Sequence, residues 1–223
     1  ASHCAVADTV SVEEYEEFFA EMLTQAEQVV HISVAGNVGS TFGNAMAAAQ
    51  CFDHVRVIDS SQISCGQGLV VLYAGKLAME GYSAQVICEK LEQVKSRIES
   101  RFFVQSAISL HQNGFLGKTV NRMCCLLELH PVLKVSRGKL SVRGFGIGRT
   151  EGAWKRFIRW KLFRKGRINT DVVFISHVGC TVEQQEMIRR EVLRRIPFKK
   201  VIMQRASVTV ACHSGPGAFG LAY

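Results

Sequence analysis

Apolar positions along this chain recur with two periods, three to four residues in some stretches and two in others. From Val12 they fall at Tyr15, Phe19, Met22, Leu23 and Ala26, and Ser11 with Glu14 has capping-box spacing, which predicts a helix over about 12 to 27. The β-branched run 28–34 reads as a strand. A small-residue loop, Ala35-Gly36-Asn37-Val38-Gly39-Ser40-Thr41, then leads into a helix-like stretch over 42–50. Val55 to Asp59 predicts a second strand and Cys65 to Met79 a helix. Ser83 caps a further helix with Ile87, Leu91, Val94 and Ile98 on one face. The order α-β-α-β-α-α argues for an α/β layer with a largely parallel sheet.

The second half continues the alternation. Residues 101–105 read as a strand, and the Asn113 to Lys118 loop separates a short helix from one over about 118–128 that holds Cys124-Cys125. Residues 131–135 and 139–143 flank an Arg137-Gly138 turn as a hairpin, so the sheet is mixed. Gly144 to Arg149 reads as a flexible connector. Trp154 to Lys165 interleaves Lys and Arg with aromatic and aliphatic residues as an amphipathic helix. A strand at 172–176, a helix capped by Thr181 through about Arg195, and strands at 201–204 and 207–211 follow. The fold expected is two α/β domains with mainly parallel or mixed sheets flanked by helices. They span residues 1–130 and 131–223, with the terminal His-Gly loop returning to the cleft between them.

Composition narrows the class. At 223 residues with 48% hydrophobic content the chain can build real cores, and no apolar run approaches the length of a membrane span. No n-region followed by an h-region opens it, so no signal peptide is expected. Eight cysteines without a C-x-x-C pair suit reduced thiols in a cytoplasmic setting better than a disulfide frame or a zinc site. On the Cys124-Cys125 helix, packing is the favoured role over redox chemistry. Charge divides the halves. Residues 1–100 carry five Lys/Arg against 13 Asp/Glu, whereas residues 101–223 carry 22 against six, as expected of a basic face with an anionic partner or of ordinary solvated faces.

The candidate chemistry sits in loops. Strand, glycine loop and helix over 29–50 offer an anion site at a helix N-terminus, although the loop lacks the Gly-Lys-Ser/Thr of a P-loop. The tail His213-Ser214-Gly215-Pro216-Gly217-Ala218-Phe219-Gly220 brings an imidazole to a tight loop. Its glycines satisfy G-x-G-x-x-G, yet only three residues follow, too few for the helix that a dinucleotide site needs. Ser40, Asp59 and His213 can be written down as a hydrolase triad on residue type alone, without a nucleophile elbow.

Five blocks, in this order and spacing, resemble the DegV family of bacterial fatty-acid-binding proteins. They are Val57-Ile58-Asp59-Ser60 with Gly66 to Leu72; Asn113 to Lys118; His130 to Val135 with Gly138-Lys139; Ile175 to Gly179; and His213 to Gly220. The resemblance implies two α/β domains holding a fatty acid between them, with its tail in an apolar tunnel. It also implies a non-catalytic subunit that presents the acyl carboxylate to a separate ATP-dependent acyl kinase. By position it places His213 near the carboxylate; together with the two loops read above, the candidate ligand-binding residues are Gly36, Asn37, Ser40, Thr41, His213, Gly215 and Gly217. By position Arg149 would face the partner kinase, and Lys155, Arg156 and Arg159 of the basic helix are the further partner-binding candidates from their charge pattern. The expected ligand is a long-chain fatty acid, with no cofactor, no metal, no nucleic acid and at most peripheral membrane contact.

The departures from the family pattern are local. Family members begin with an Ile-Thr-Asp-Ser-like strand about sixty residues before the first helix, so this chain is expected to be a fragment or the partner of a segment carried elsewhere. Ala7-Asp8 stands where the family has Thr-Ser, and Ala35-Gly36 where it has Ser-Ser. Loss of those hydroxyls leaves backbone amides, Asn37, Thr41 and His213 to hold a carboxylate. The alternative is a degenerate regulatory domain that binds another small anion, or docks a protein through its basic helix.

Overall fold

The computed structural model describes residues 8–163 and 168–223. Of the stretches read above, Ala7 and the end of the basic run, residues 164–165, lie outside the described residues. The chain forms two compact units: a two-strand unit of Asp8–Glu99 with Val135–Leu140, and a six-strand unit that includes Ser100–Lys134 and Ser141–Tyr223.

The two-strand unit is an α/β/α sandwich. Parallel strands β1 (Val29–Ser33) and β2 (Val55–Asp59) pair in register, Val29 opposite Val55 and Ser33 opposite Asp59. Helices α1 (Val12–Leu23) and α2 (Thr41–Ala49) close one face around Tyr15, Phe19, Ala45, Ala48 and Val55. On the other face α3 (Cys65–Met79) and α4 (Ala84–Val94) pack around Ile58, Val70, Leu77, Ile87 and Leu91. A 3-10 turn, Lys95–Arg97, follows α4. The Ser11/Glu14 capping box forms as the spacing predicted. The helix stops short of residue 27 because Thr24 turns back, its amide and its hydroxyl both donating to the Glu21 carbonyl.

The six-strand unit is built on a mixed sheet of β3 (Ser100–Phe103), β4 (Leu129–Ser136), β5 (Lys139–Ile147), β6 (Val172–His177), β7 (Lys200–Arg205) and β8 (Phe219–Ala222), in the order β5-β4-β3-β8-β6-β7. The tip of the β4–β5 hairpin, Val135–Leu140, groups with the two-strand unit. Helices α7 (Thr150–Lys161) and α8 (Val182–Arg195) contribute Trp154, Phe157, Ile158, Ile188 and Val192 to a core shared with Phe103, Ile175, Phe219 and Leu221 of the sheet. Helices α5 (Ala107–Gln112), α6 (Lys118–Leu126) and α9 (Val208–Ser214) complete the unit, α5 packing on both α6 and α9. The unit begins at Ser100 because β3 is hydrogen-bonded along its length to β8, Phe103 opposite Phe219. The boundary expected after residue 130 falls inside β4.

The structure departs from the sequence pattern at three places. Residues 207–211, an alternating run expected as a strand, open α9, whose N-cap hydroxyl of Ser207 accepts from the Val210 amide. Its place in the sheet explains this. β6 lies between β7 and β8, pairing parallel to the first and antiparallel to the second, so the chain must cross two strand spacings, about 10 Å, which a short helix spans. Second, the tail is not all loop: Gly220 lies within β8, opposite Phe102 on one side and Ser176 on the other. Third, Gly144 to Ile147 is strand, not connector. A Cβ on Gly146 would come within 2.6 Å of the Phe103 ring, and one on Gly144 within 3.1 Å of Trp160, so these glycines make room for aromatic rings rather than supply flexibility.

Candidate functional site

In the two-strand unit the β1–α2 loop is held from below. The Ala35 amide donates to the Gln62 carbonyl, and the Asp59 carboxylate accepts from the Gly36 amide at 3.2 Å and the Ser61 amide at 2.6 Å. The Gly36 N–H is therefore spoken for. A Cβ there would lie 3.0 Å from the Phe42 ring, so glycine leaves space that a serine would contest. Beyond this point the loop opens: Asn37 and Ser40 are exposed and Thr41 half-buried. Ser40 is the N-cap of α2 yet makes no side-chain capping bond, which leaves first-turn amides and its own hydroxyl for a ligand. Asn37 lies against Gly138 of the hairpin tip.

In the six-strand unit His213 ends α9. Its Nδ1 stands 2.9 Å from Asn113 Oδ1, and Phe115 meets the ring edge-on with centroids 6.3 Å apart. Gly215 and Gly217 hold φ of +71° and +75°, where a Cβ would strike Ser109 Oγ at 2.6 Å and Gln105 Cβ at 3.1 Å. Their amides are already donated to the carbonyls of Ala211 and Val178. They shape the loop and keep no N–H for a ligand.

Gln105 links this loop to the start of α7. Gly217 lies over its side chain, its Nε2 donates to Thr150 Oγ1 at 2.7 Å, and its carbonyl lies 2.7 Å from Nδ1 of buried His130. His130 Nε2 lies 2.9 Å from the Gly148 carbonyl. These groups, with Cys124 and Glu128, border an open cavity of about 690 Å³ into which the start of α7 faces. Arg149 lines it and forms no ion pair with a described residue. Burial pushes the Cys124 thiol up, with Cys125 beside it adding to the effect, so Cys124 is not an activated thiolate. The Cys180 thiol is pushed up to about 11 by burial.

The basic helix is less available than its sequence suggests. Arg156 donates through Nη2 to the Ile147 carbonyl, and Arg159 pairs with buried Glu191 at 3.0 Å. Lys155 is half-exposed, leaving Arg149 and Lys155 as its uncommitted cations among those singled out. The written triad has no support in hydrogen bonding. His213 is oriented by Asn113, not by Asp59, whose carboxylate is engaged with the amides of Gly36 and Ser61. Among the described residues no group of three or more His, Cys, Asp or Glu is placed to hold a metal, and no helix is long and apolar enough to cross a membrane.

A family model described as "Uncharacterised protein, DegV family" matches residues 2–223. This chain belongs to the DegV family. A DegV domain-containing protein of Deinococcus radiodurans is 29% identical over 210 residues, covering 94% of this chain and 74% of its own. Among solved structures, the chain superposes with TM-score 0.81 on a DegV family protein from Thermus thermophilus described by its fatty acid binding, at 26% identity, covering 96% of this chain and 77% of that one. The Streptococcus pneumoniae Fatty Acid Kinase (Fak) B3 protein loaded with linoleic acid shares the DegV fold, with TM-score 0.83 at 17% identity, covering 96% of this chain and 76% of that one.

The Asn113–His213 bond, the central β8 and the commitment of Arg156 and Arg159 escape sequence reasoning. Asn113 and His213 are 100 residues apart and share no local pattern. The glycine-flanked Asn113 loop was a visible signal, though not its partner.

Proposed function

We propose that this DegV protein binds a long-chain fatty acid and presents its carboxylate to a separate acyl kinase. The observation that carries the binding half is the likeness to the Thermus thermophilus protein, described as fatty acid binding, which spans 96% of this chain. Within the six-strand unit His213 is the proposed carboxylate partner. Within the two-strand unit the open start of α2, with Asn37, Ser40 and Thr41, is the proposed anion-holding element. The hydroxyls lost at Ala35 and Gly36 make the head-group site sparser, and His213 correspondingly more important. The kinase half has its support in the family resemblance, in the fold shared with the Fak B3 protein, and in the uncommitted Arg149.

The test begins with solvent extracts of the freshly purified protein by mass spectrometry, beside a native spectrum of the intact complex. A stoichiometric fatty acid is expected; an empty protein that also refuses added oleate ends this reading. His213→Ala is expected to weaken oleate binding by about 10- to 100-fold, the loss of one charge-assisted hydrogen bond. Arg149→Ala is expected to leave oleate affinity unchanged and to slow phosphorylation by the partner kinase. Loss of lipid binding in that variant would mean that Arg149 belongs to the pocket instead.

A further inference from the structure

We infer that Asn113 fixes His213 in its Nδ1–H form, so that binding of a carboxylate at this ring takes up a proton. The hydrogen-bond inventory sets the orientation of the Asn113 amide. Its Nδ2 lies 2.7 Å from the Ser109 carbonyl and 3.4 Å from the Cys212 carbonyl. Carbonyl oxygens only accept, so the NH2 group belongs on that side and Oδ1 faces the imidazole. Oδ1 only accepts as well. The His213 nitrogen 2.9 Å away, Nδ1, must therefore carry the hydrogen. The two side chains lock each other: three contacts hold the Asn113 amide, and the edge-on Phe115 ring limits the swing of the imidazole.

The consequence lies at the other nitrogen. A neutral imidazole has one N–H, so with Nδ1 protonated Nε2 presents a lone pair. It makes no hydrogen bond to a described residue. A lone pair suits a hydroxyl or a carboxylic acid, but facing a carboxylate oxygen it is repulsive. For Nε2 to donate to a carboxylate the ring must become an imidazolium, or else the ligand must arrive as the neutral acid. Either route adds one proton to the complex, and neither needs a group other than solvent to supply it. Without the acceptor of Asn113, a neutral ring can place its hydrogen on Nε2 and donate to the carboxylate directly, with no proton uptake. Asn113 is thus a positioning residue that sets the charge state in which the head group is held.

This inference rests on the fatty-acid reading for its ligand half only, and its test has two arms. The first uses the ligand-free full chain at pH 8, where a free imidazole is neutral. Long-range proton–nitrogen correlation of the histidine rings, with His213 assigned by its disappearance in His213→Gln, is expected to show a protonated Nδ1 and a bare Nε2. In Asn113→Ala the hydrogen is expected to move to Nε2, whereas Asn113→Asp, which keeps an acceptor opposite Nδ1, retains it there. A bare Nδ1 in the parent chain, or an unchanged tautomer in Asn113→Ala, overturns the assignment. The second arm is calorimetry of oleate binding at pH 8 in buffers of different ionisation enthalpy. Uptake of about one proton per oleate is expected in the parent and close to none in Asn113→Ala, with circular dichroism confirming that the variant is folded. Binding without proton uptake in the parent overturns the coupling. Failure of oleate to bind at all counts against the fatty-acid reading, while the first arm still decides the role of Asn113.

Discussion

Asp59 and Glu191 show how carboxylates in this protein serve structure. Asp59 accepts two backbone amides at Oδ1 at the edge of the β1–α2 loop, which holds the loop's base while its rim remains open. Glu191 is buried on α8 and neutralised by Arg159 at 3.0 Å, with Arg194 more distant at 3.9 Å. Removing Arg159 leaves a buried carboxylate with one weak partner. Because the Arg159 side chain is itself 45% exposed, the full penalty for breaking a buried pair does not apply, and Arg159→Ala is expected to cost about 1–2 kcal/mol. Urea denaturation measures this, and an unchanged midpoint would show that Arg194 and water suffice. The sequence presented Arg159 as one more cation on a basic face. Only the position of Glu191 on a neighbouring helix shows that it is committed.

Among the elements, α9 carries most of the consequence for the candidate site. It delivers His213 at its last turn and ends where Gly215 turns left-handed. A Gly215→Ala substitution meets both that φ and Ser109 Oγ at 2.6 Å, and is expected to lower stability by about 1–3 kcal/mol and to displace His213. Thermal denaturation, with the His213 ring resonances as a local probe, checks it; a native-like spectrum at unchanged stability would show that the turn is not needed. Elements with their own stop and start chemistry were legible beforehand. The Thr181 cap opens α8 as read, with Gln184 completing a capping box in the structure, and Cys65–Met79 and Val55–Asp59 form as their patterns predict. Elements set by crossing distance were not: the alternation of Val208-Thr209-Val210 reads as strand until β6 is seen to separate β7 from β8.

Across the whole molecule, acid sensitivity follows from two histidines, one in each unit. Burial holds the His31 ring below the ordinary imidazole range, where Tyr15 and Phe19 meet it edge-on at 5.2 and 5.5 Å. Burial also lowers His177, and nearby Arg205 adds to the effect. Both rings stay neutral in the folded chain to lower pH than in the unfolded one. Their contribution is therefore complete above the unfolded value of about 6.5 and is lost as pH falls towards the folded values, by at most about 1.4 kcal/mol per pH unit for each ring. Stability should decline from pH 7 to pH 5, and His31→Phe, which keeps an aromatic ring between Tyr15 and Phe19, should flatten the slope. An identical slope in that variant would place the acid sensitivity elsewhere.

What the sequence determined by itself was the alternation of helices and strands, the caps that start them, the α/β class and the family. These depend on neighbours within a turn or two, or on blocks whose order along the chain is itself the signal. Tertiary structure decided which side chains remain free to act. It spent Arg156, Arg159 and the amides of Gly36, Gly215 and Gly217 on internal bonds, inserted the last four-residue strand into the middle of a sheet, and set Asn113 against His213. The physical reason is common to all of these: a hydrogen bond or ion pair between residues far apart in the chain leaves no periodic trace, yet it fixes protonation, orientation and availability, on which ligand binding depends.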